Sequence, residues 1–141
     1  MPELLIIGYD FGYQHYASIL ENEGFAVEKI QNGYRGLVRA REKMYDDIIV
    51  DSMLSWGSDR LPGRHRGNRE DFYTGSVTRY CIREIQLAGL NRETPLFVMG
   101  PGIRNEYNDL GVEGALDLLT FPPEKLPERL KQARVRALKE T

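Results

Sequence analysis

Two carboxylates in this chain stand where chemistry could occur. Asp51 directly follows the apolar run Ile48-Ile49-Val50, and Asp10 comes soon after the apolar run Leu4-Leu5-Ile6-Ile7. Ligands of open α/β sheets bind beyond the carboxyl ends of the strands, so residues that follow strands are candidates for a site. Carboxylate oxygens suit a hard cation such as Mg²⁺, and they also pair with arginine. Both kinds of site remain open from these residues alone.

An arginine-rich segment, residues 55–74, leaves the same strand end as Asp51. Its guanidinium groups could fold back and pair with Asp51, or hold an anionic ligand or partner. The candidates for such contacts are Arg60, Arg64 and Arg66. The plainer interpretation is a mobile, solvated insertion that binds nothing. Aromatic residues flank the arginines, but at a net charge of -2 we expect no nucleic-acid partner.

Catalytic constellations are not found in the sequence. No nucleophile, base and orienting group can be assembled from it, so we predict no catalytic residue and no enzyme activity. Gly100-Pro101-Gly102 lacks the spacing and the lysine of a phosphate-binding loop and predicts a tight turn. The lone Cys81 excludes an internal disulfide and paired zinc ligands. The only metal site left open is a residual Mg²⁺ site at Asp10 and Asp51.

Length and composition predict a single globular domain. The chain has 141 residues, 41% hydrophobic and 28% charged, which suits one domain over 1–141 with one sizeable core. The apolar run near the N-terminus is too short for a signal peptide or a membrane span. We therefore expect a cytoplasmic protein without a membrane partner.

Short apolar runs alternate with amphipathic stretches along the chain. The runs at 4–7, 25–27, 48–50, 96–99 and 116–119 have strand length. Helices are predicted from about Tyr13 to Gly24, from the N-cap Asn32 through an inward-facing Met44, through Val77, Cys81 and Ile85, briefly near Tyr107 and Leu110, and through Leu126, Leu130 and Ala133. This order predicts an α/β fold, with a doubly wound, five-stranded parallel sheet of flavodoxin-like topology and an insertion after the third strand.

Several segments resemble those of response-regulator receiver domains of the CheY-like type. They are Asp46 to Leu54, Thr94 to Met99 and Gly114 to Pro122, with Glu23 to Val27 and Asn32-Gly33 at the second strand and helix. The resemblance covers nearly the whole chain in the family's order. It implies the (βα)5 receiver fold, with a phosphoryl group passing to an aspartate at the end of the third strand. Asp51 matches that phosphoacceptor.

The remaining pocket positions depart from the family's pattern. Gly8 and Tyr9 stand where the resemblance implies an acidic pair, and Gly100 stands where it implies a hydroxyl. Phe121 replaces the family's lysine, and Leu118 replaces its aromatic switch. Metal binding should be poor unless a bulge brings Asp10 into the site. These departures together imply a degenerate pseudo-receiver.

The resulting prediction is a two-component signalling module that acts by phosphorylation-independent protein contacts, as a homodimer or with a partner protein. By resemblance, those contacts would use the fourth helix, fifth strand and fifth helix, near Tyr107, Asp117 and Arg129. Two alternatives stay open. One is a phosphorelay receiver still phosphorylated at Asp51, and the other is a flavodoxin-like domain that binds a small ligand or a flavin or cobalamin cofactor.

Overall fold

The computed structural model describes residues 1–57, 76–87 and 89–140. The strands are β1 (Glu3–Ile7), β2 (Ala26–Ile30), β3 (Asp47–Asp51), β4 (Leu96–Gly100) and β5 (Gly114–Asp117). The α-helices are α1 (Gln14–Asn22), α2 (Gly33–Glu42), α3 (Ser76–Leu87) and α4 (Leu126–Glu140). Short 3-10 turns cover Phe11–Tyr13, Asn108–Leu110 and Pro123–Lys125. No described helix is long and apolar enough to cross a membrane.

All five strands form one parallel sheet in the order β2-β1-β3-β4-β5. Strand β1 lies between β2 and β3, with Ile7 opposite Ile30 of β2 and opposite Val50 of β3. The chain order reverses at β1 and β3, so their carboxyl ends open a crevice at the switch point. The predicted doubly wound, flavodoxin-like sheet is confirmed.

Alternating strand residues build two apolar cores, one on each face of the sheet. Leu5 and Ile7 point to the core under α2 and α3, which includes the buried Cys81. Leu4 and Ile6 point to the core under α1 and α4. The continuous apolar runs of the sequence therefore follow from burial of the strands on both faces.

Helix α2 begins as predicted but ends earlier. The side chain of Asn32 accepts a hydrogen bond from Arg35 N at 2.9 Å, which confirms Asn32 as the N-cap. The helix ends at Glu42, and Lys43 is already extended, with φ -141° and ψ 141°. Met44 therefore lies outside the helix and is 62% exposed, so its predicted inward position was wrong.

The connection between β4 and β5 contains only a 3-10 turn where the sequence predicts a short fourth helix. The turn at Asn108–Leu110 ends at Gly111, whose φ of 68° is left-handed. Side chains of α3 fix this connection, because Arg79 donates to the Glu106 carbonyl at 2.9 Å and Gln86 donates to the Leu110 carbonyl at 2.7 Å. A full helix is therefore missing from the predicted partner-binding face.

Strand β5 also differs from its predicted range. It ends at Asp117, whose Oδ1 accepts hydrogen bonds from Gly102 N at 2.8 Å and from Leu119 N at 2.9 Å. The turn that these bonds stabilise takes Leu118 and Leu119 out of the strand. The strand predicted over 116–119 therefore lies two residues too late, since β5 covers Gly114–Asp117. Apolar composition alone did not reveal the turn at Asp117.

Candidate functional site

A cleft of about 450 Å³ opens at the carboxyl edge of the sheet, where β1 and β3 end. Both carboxylates singled out in the sequence, Asp10 and Asp51, line it. No lysine or arginine is among its described lining residues. The remaining residues around the cleft are Gly8, Tyr9, Gly12, Tyr13, Gln31, Met53, Leu54, Ser55, Pro101 and Leu118.

Both carboxylate oxygens of Asp51 are engaged. Oδ1 accepts a hydrogen bond from Met53 N at 2.5 Å, and Oδ2 accepts one from the Tyr13 hydroxyl. Asp51 is only 9% exposed, and this burial raises the pKa of its carboxyl group. The hydrogen bonds from Tyr13 and Met53 oppose that rise, whereas the charge of Asp10 adds to it. The side chain is therefore held firmly in an environment that does not favour a second negative group.

Tyr13 reaches Asp51 from the 3-10 turn that precedes α1. Asp10 caps this turn, because its Oδ1 accepts a hydrogen bond from Gly12 N at 2.8 Å. The Tyr13 ring is buried, and its hydroxyl also lies 3.1 Å from the Met99 carbonyl oxygen on β4. Burial, followed by the charge of Asp51, raises the pKa of the phenol far above its ordinary value. Tyr13 is consequently a neutral hydrogen-bond donor fixed on the Asp51 carboxylate.

Gly8 allows the end of β1 to approach Asp51 closely. Its φ is 93°, and a Cβ atom at this position would lie 2.6 Å from the Cβ of Asp51. A side chain here would be strained and would collide with β3. The position at which the family has a carboxylate is therefore closed to any side chain in this backbone.

The carboxylates present do not fit a Mg²⁺ ion. Such an ion needs near-octahedral oxygen ligands, usually with carboxylates free to coordinate it. Asp51 uses both oxygens for hydrogen bonds, Asp10 uses one to cap its turn, and Gly8 and Tyr9 provide no carboxylate. Over residues 1–57, 76–87 and 89–140, no three metal-ligating side chains cluster. The chain does bulge after β1, because Gly8 N and Tyr9 N both donate to the Ile30 carbonyl oxygen. Oδ1 of Asp10 nevertheless caps the following turn, which leaves only Oδ2 for a metal ion.

A hydroxyl group does stand at the end of β4, although Gly100 carries none. A Cβ atom built on Gly100 would lie 1.8 Å from Oγ of Ser52 and 2.8 Å from its Cβ. Ser52 follows Asp51 directly, and its backbone N–H donates to the Met99 carbonyl at 2.9 Å. The Ser52 side chain thus fills the space that a side chain at position 100 would occupy. The sequence did not reveal this hydroxyl, because Ser52 follows a different strand from the one that ends at Gly100.

The other predicted pocket positions lie nearby without supplying charge. Leu118 lines the cleft, and the Phe121 carbonyl accepts a hydrogen bond from the Tyr16 hydroxyl at 3.0 Å. Tyr9 also lines it, with its ring centroid 6.3 Å from that of Tyr13. Arg60, Arg64 and Arg66 fall outside the described residues.

The side chains predicted for partner contacts are engaged within the fold. Tyr107 is buried, and its hydroxyl donates to the Ser52 carbonyl at 3.1 Å. Arg129 donates to the Glu113 carbonyl at 2.8 Å and lies over the Phe97 ring. Asp117 holds the turn after β5. The expectation that Tyr107 presents itself to a partner was therefore wrong, because the short β4–β5 connection draws it inward.

Tyr13 was the main residue that sequence reasoning missed. It was assigned only as the approximate start of a helix. A buried tyrosine normally needs a partner for its hydroxyl, and a buried aspartate normally needs donors. That pair of requirements is the signal in the sequence, although only the folded chain shows that the two side chains meet.

The whole fold resembles solved receiver domains. A CheY-like response regulator receiver domain protein from Methanospirillum hungatei is 17% identical, covers 100% of this chain and 99% of its own, and gives a TM-score of 0.74. The receiver domain of a sensor histidine kinase from Pseudomonas aeruginosa, solved with a magnesium ion coordinated in its active site cleft, is 19% identical over 95% of this chain and 98% of its own, with a TM-score of 0.68. Chemotaxis protein CheY4 of Vibrio cholerae is 20% identical over 94% and 98%, with a TM-score of 0.67.

No protein-family model and no curated protein matches the sequence. The structural likeness, at these identities, concerns the fold. It agrees with the strand order, the parallel pairing and the helices on both faces of the sheet. The chain has the fold of CheY-like response-regulator receiver domains.

Proposed function

We propose that this chain is an atypical receiver domain that signals through protein contacts without phosphorylation of Asp51. The observation that carries the proposal is the hydrogen bond from the Tyr13 hydroxyl to Asp51 Oδ2, together with the bond from Met53 N to Oδ1. Phosphoryl transfer depends on positioning and on stabilisation of developing charge. Here a neutral phenol contacts the carboxylate that would have to attack, and the negative charge of Asp10 lies nearby.

The electrostatics of the cleft support the same proposal. An incoming phosphoryl group is anionic, but the described lining contains carboxylates and no lysine or arginine. Phe121 stands at the position of the family's lysine and offers no positive charge to offset the negative charge of a phosphoryl group. The same chemistry disfavours the phosphate of a flavin mononucleotide in this cleft. As a signalling module of this kind, the chain would have no catalytic activity of its own and would act in the cytoplasm.

One observation favours a second candidate, a phosphorelay receiver that is still phosphorylated at Asp51. The Ser52 side chain fills the space beside Gly100, so a hydroxyl stands near the position from which the family contacts the phosphoryl group. A hydroxyl can donate a hydrogen bond to a phosphoryl oxygen. Ser52 would thus supply one of the groups that the sequence pattern lacks, although it supplies neither the metal ligands nor the lysine.

Incubation with acetyl phosphate, with and without Mg²⁺, separates the two candidates. Intact mass is measured for the wild type and for Asp51→Asn, and a phosphorylation-competent receiver domain serves as the positive control. The proposal predicts no adduct on the wild type under conditions that label the control. A Mg²⁺-dependent phosphoryl adduct on the wild type that is absent from Asp51→Asn would refute it in favour of the phosphorelay receiver.

A further inference from the structure

Three large apolar side chains stand exposed at the edge of the sheet that carries the cleft. Phe11 is 88% exposed, Met53 is 69% exposed and Leu119 is 74% exposed. They belong to the three connections that follow β1, β3 and β5, Phe11 as the first residue of its 3-10 turn, and residues adjoining each of them line the cleft. We call these three residues the apolar rim. Single exposed apolar residues are ordinary, but a group of them around a cleft is typical of a binding surface.

The cleft inside the apolar rim is acidic. Asp10 is exposed, and no lysine or arginine within the described ranges forms an ion pair with it. Its charge also contributes to the raised pKa of the Asp51 carboxyl group. Lys29 lies 5.5 Å from the Tyr9 ring centroid but pairs with Glu21 at 3.4 Å. Among the residues that the structure describes, no cation therefore neutralises the charge of Asp10.

The aromatic wall of the cleft also favours a cation. The rings of Tyr9 and Tyr13 lie 6.3 Å apart and both border the cleft. Ring faces attract guanidinium and ammonium groups, more strongly when water is excluded. A flat guanidinium could contact the partly exposed ring of Tyr9 while it hydrogen-bonds to Oδ2 of Asp10, which accepts no hydrogen bond from the described residues. Anionic ligands such as phosphates, nucleic acids and acidic membrane surfaces would be repelled.

We propose that the cleft and its apolar rim bind a segment of a partner protein that carries an arginine or lysine between apolar side chains. The basic side chain enters the cleft toward Asp10, and the flanking apolar side chains cover Phe11, Met53 and Leu119. A bare cation would leave the apolar rim exposed, whereas such a segment uses both features. This inference rests on the proposed function, since it names the partner chemistry of a module that acts by protein contacts.

The test is a titration of the ¹⁵N-labelled full chain, followed by NMR amide shifts, with two short amidated peptides. One has an arginine between two leucines, and the other has citrulline, the neutral isostere, in its place. The arginine peptide should shift the amides of Gly8, Asp10, Met53 and Leu119 and should bind several-fold more tightly than the citrulline peptide. Adding salt should reduce that difference.

Matched variants separate charge from packing. Asp10→Asn removes the charge but keeps a side-chain oxygen that can accept from Gly12 N, so the turn should persist. It should reduce arginine-peptide binding to the citrulline level. Met53→Ser should weaken both peptides alike. Glu128→Gln, at the opposite edge of the sheet beside Lys131 and Arg134, should change neither.

Three outcomes would overturn this inference. The first is equal binding of the two peptides, and the second is the absence of saturable shifts at the cleft with either peptide. The third is binding that emerges only when Arg60, Arg64 and Arg66 are changed to glutamine, which would mean that the chain's own arginines occupy the cleft. None of these outcomes bears on the acetyl phosphate result. The docking surface can therefore fail while the proposed function stands, and a phosphoryl adduct would remove the proposed function whatever the peptides do.

Discussion

The Tyr13 hydroxyl donates a hydrogen bond to Asp51 Oδ2 inside the fold, between the turn before α1 and the end of β3. The hydroxyl has one hydrogen and two neighbouring acceptors, since the Met99 carbonyl oxygen lies 3.1 Å away. That carbonyl already accepts a bond from Ser52 N at 2.9 Å, so it does not need the phenolic hydrogen. The phenol is therefore available to Asp51, and the contact links the first and third strand ends of the site.

The Tyr13–Asp51 contact should be visible as energetic coupling in a double-mutant cycle. Tyr13→Phe leaves a buried carboxylate oxygen without its donor, so we expect it to lower the free energy of unfolding by about 1–3 kcal/mol. When Asp51→Asn is already present, Tyr13→Phe should cost clearly less, with a coupling of at least about 0.5 kcal/mol. Urea denaturation of the four proteins measures both quantities.

Tyr16→Phe is the matched control for that cycle. It removes the hydroxyl that donates to the Phe121 carbonyl at 3.0 Å, and it does not touch Asp51. Its cost should be the same with Asp51 and with Asn at that position. Additive effects of Tyr13→Phe and Asp51→Asn would show that the two side chains do not stabilise each other.

The close approach of Ser52 to Gly100 predicts that a substitution at Gly100 lowers stability and that a second substitution at Ser52 restores it. Gly100→Ala places a methyl group 1.8 Å from Ser52 Oγ, so we expect a loss of about 1–3 kcal/mol from overpacking. Adding Ser52→Gly removes both side-chain atoms that collide and should restore most of the loss. Denaturant midpoints of the single and double variants test this. A harmless Gly100→Ala would disprove that Ser52 fills the space.

Asp47 should make stability depend on pH. It is fully buried at the start of β3, and burial raises the pKa of its carboxyl group from 3.8 to about 6, although Arg134 at 2.6 Å opposes the rise. Its Oδ1 has no hydrogen-bond partner within the described part of the chain. Because the folded state holds this proton more tightly than the unfolded state, the stabilisation by protonation is full below about pH 4. It is lost as the pH rises through about 6.

The size of that effect is on the order of 3 kcal/mol, since each pKa unit corresponds to about 1.4 kcal/mol. It can be measured as the difference between the unfolding free energies of the wild type and Asp47→Asn from pH 4 to 7. The wild type should lose stability relative to the variant as the pH rises. A difference that stays constant with pH, or that grows in favour of the wild type, would contradict the raised pKa.

The sequence predicted the sheet better than it predicted the site. Strands such as β3 and β4 can be recognised in the sequence as apolar runs because they are buried on both faces. Met44 was misplaced because helical spacing continued past Glu42, while Lys43 already leaves the helix. The fourth helix was misplaced because Tyr107 and Leu110 are inward-facing residues of a short connection that α3 holds by hydrogen bonds.

Within the site, strand ends could be read from sequence but contacts between them could not. Asp51 was recognised because it follows a strong strand. Tyr13 and Ser52 were not recognised, because each contacts the end of a different strand. Tyr13 follows β1 but contacts Asp51 of β3, and Ser52 follows β3 but fills the space beside Gly100 of β4. Their roles depend on the φ of Gly8 and on the missing side chain of Gly100, which bring the backbones together. When a neighbour in space supplies a group that a given position lacks, the sequence at that position does not reveal it.

The most direct test of the central claim is a Mg²⁺ titration of the ¹⁵N-labelled chain, followed through the amides of Gly8, Asp10 and Met53. A Mg²⁺-binding receiver domain is the positive control, and NaCl at equal ionic strength controls for general salt effects. Because the Tyr13 hydroxyl and Met53 N donate hydrogen bonds to the Asp51 carboxylate in place of a metal ion, these amides should show no saturable shift at millimolar Mg²⁺. A saturable, Mg²⁺-selective shift that disappears in Asp51→Asn would contradict it.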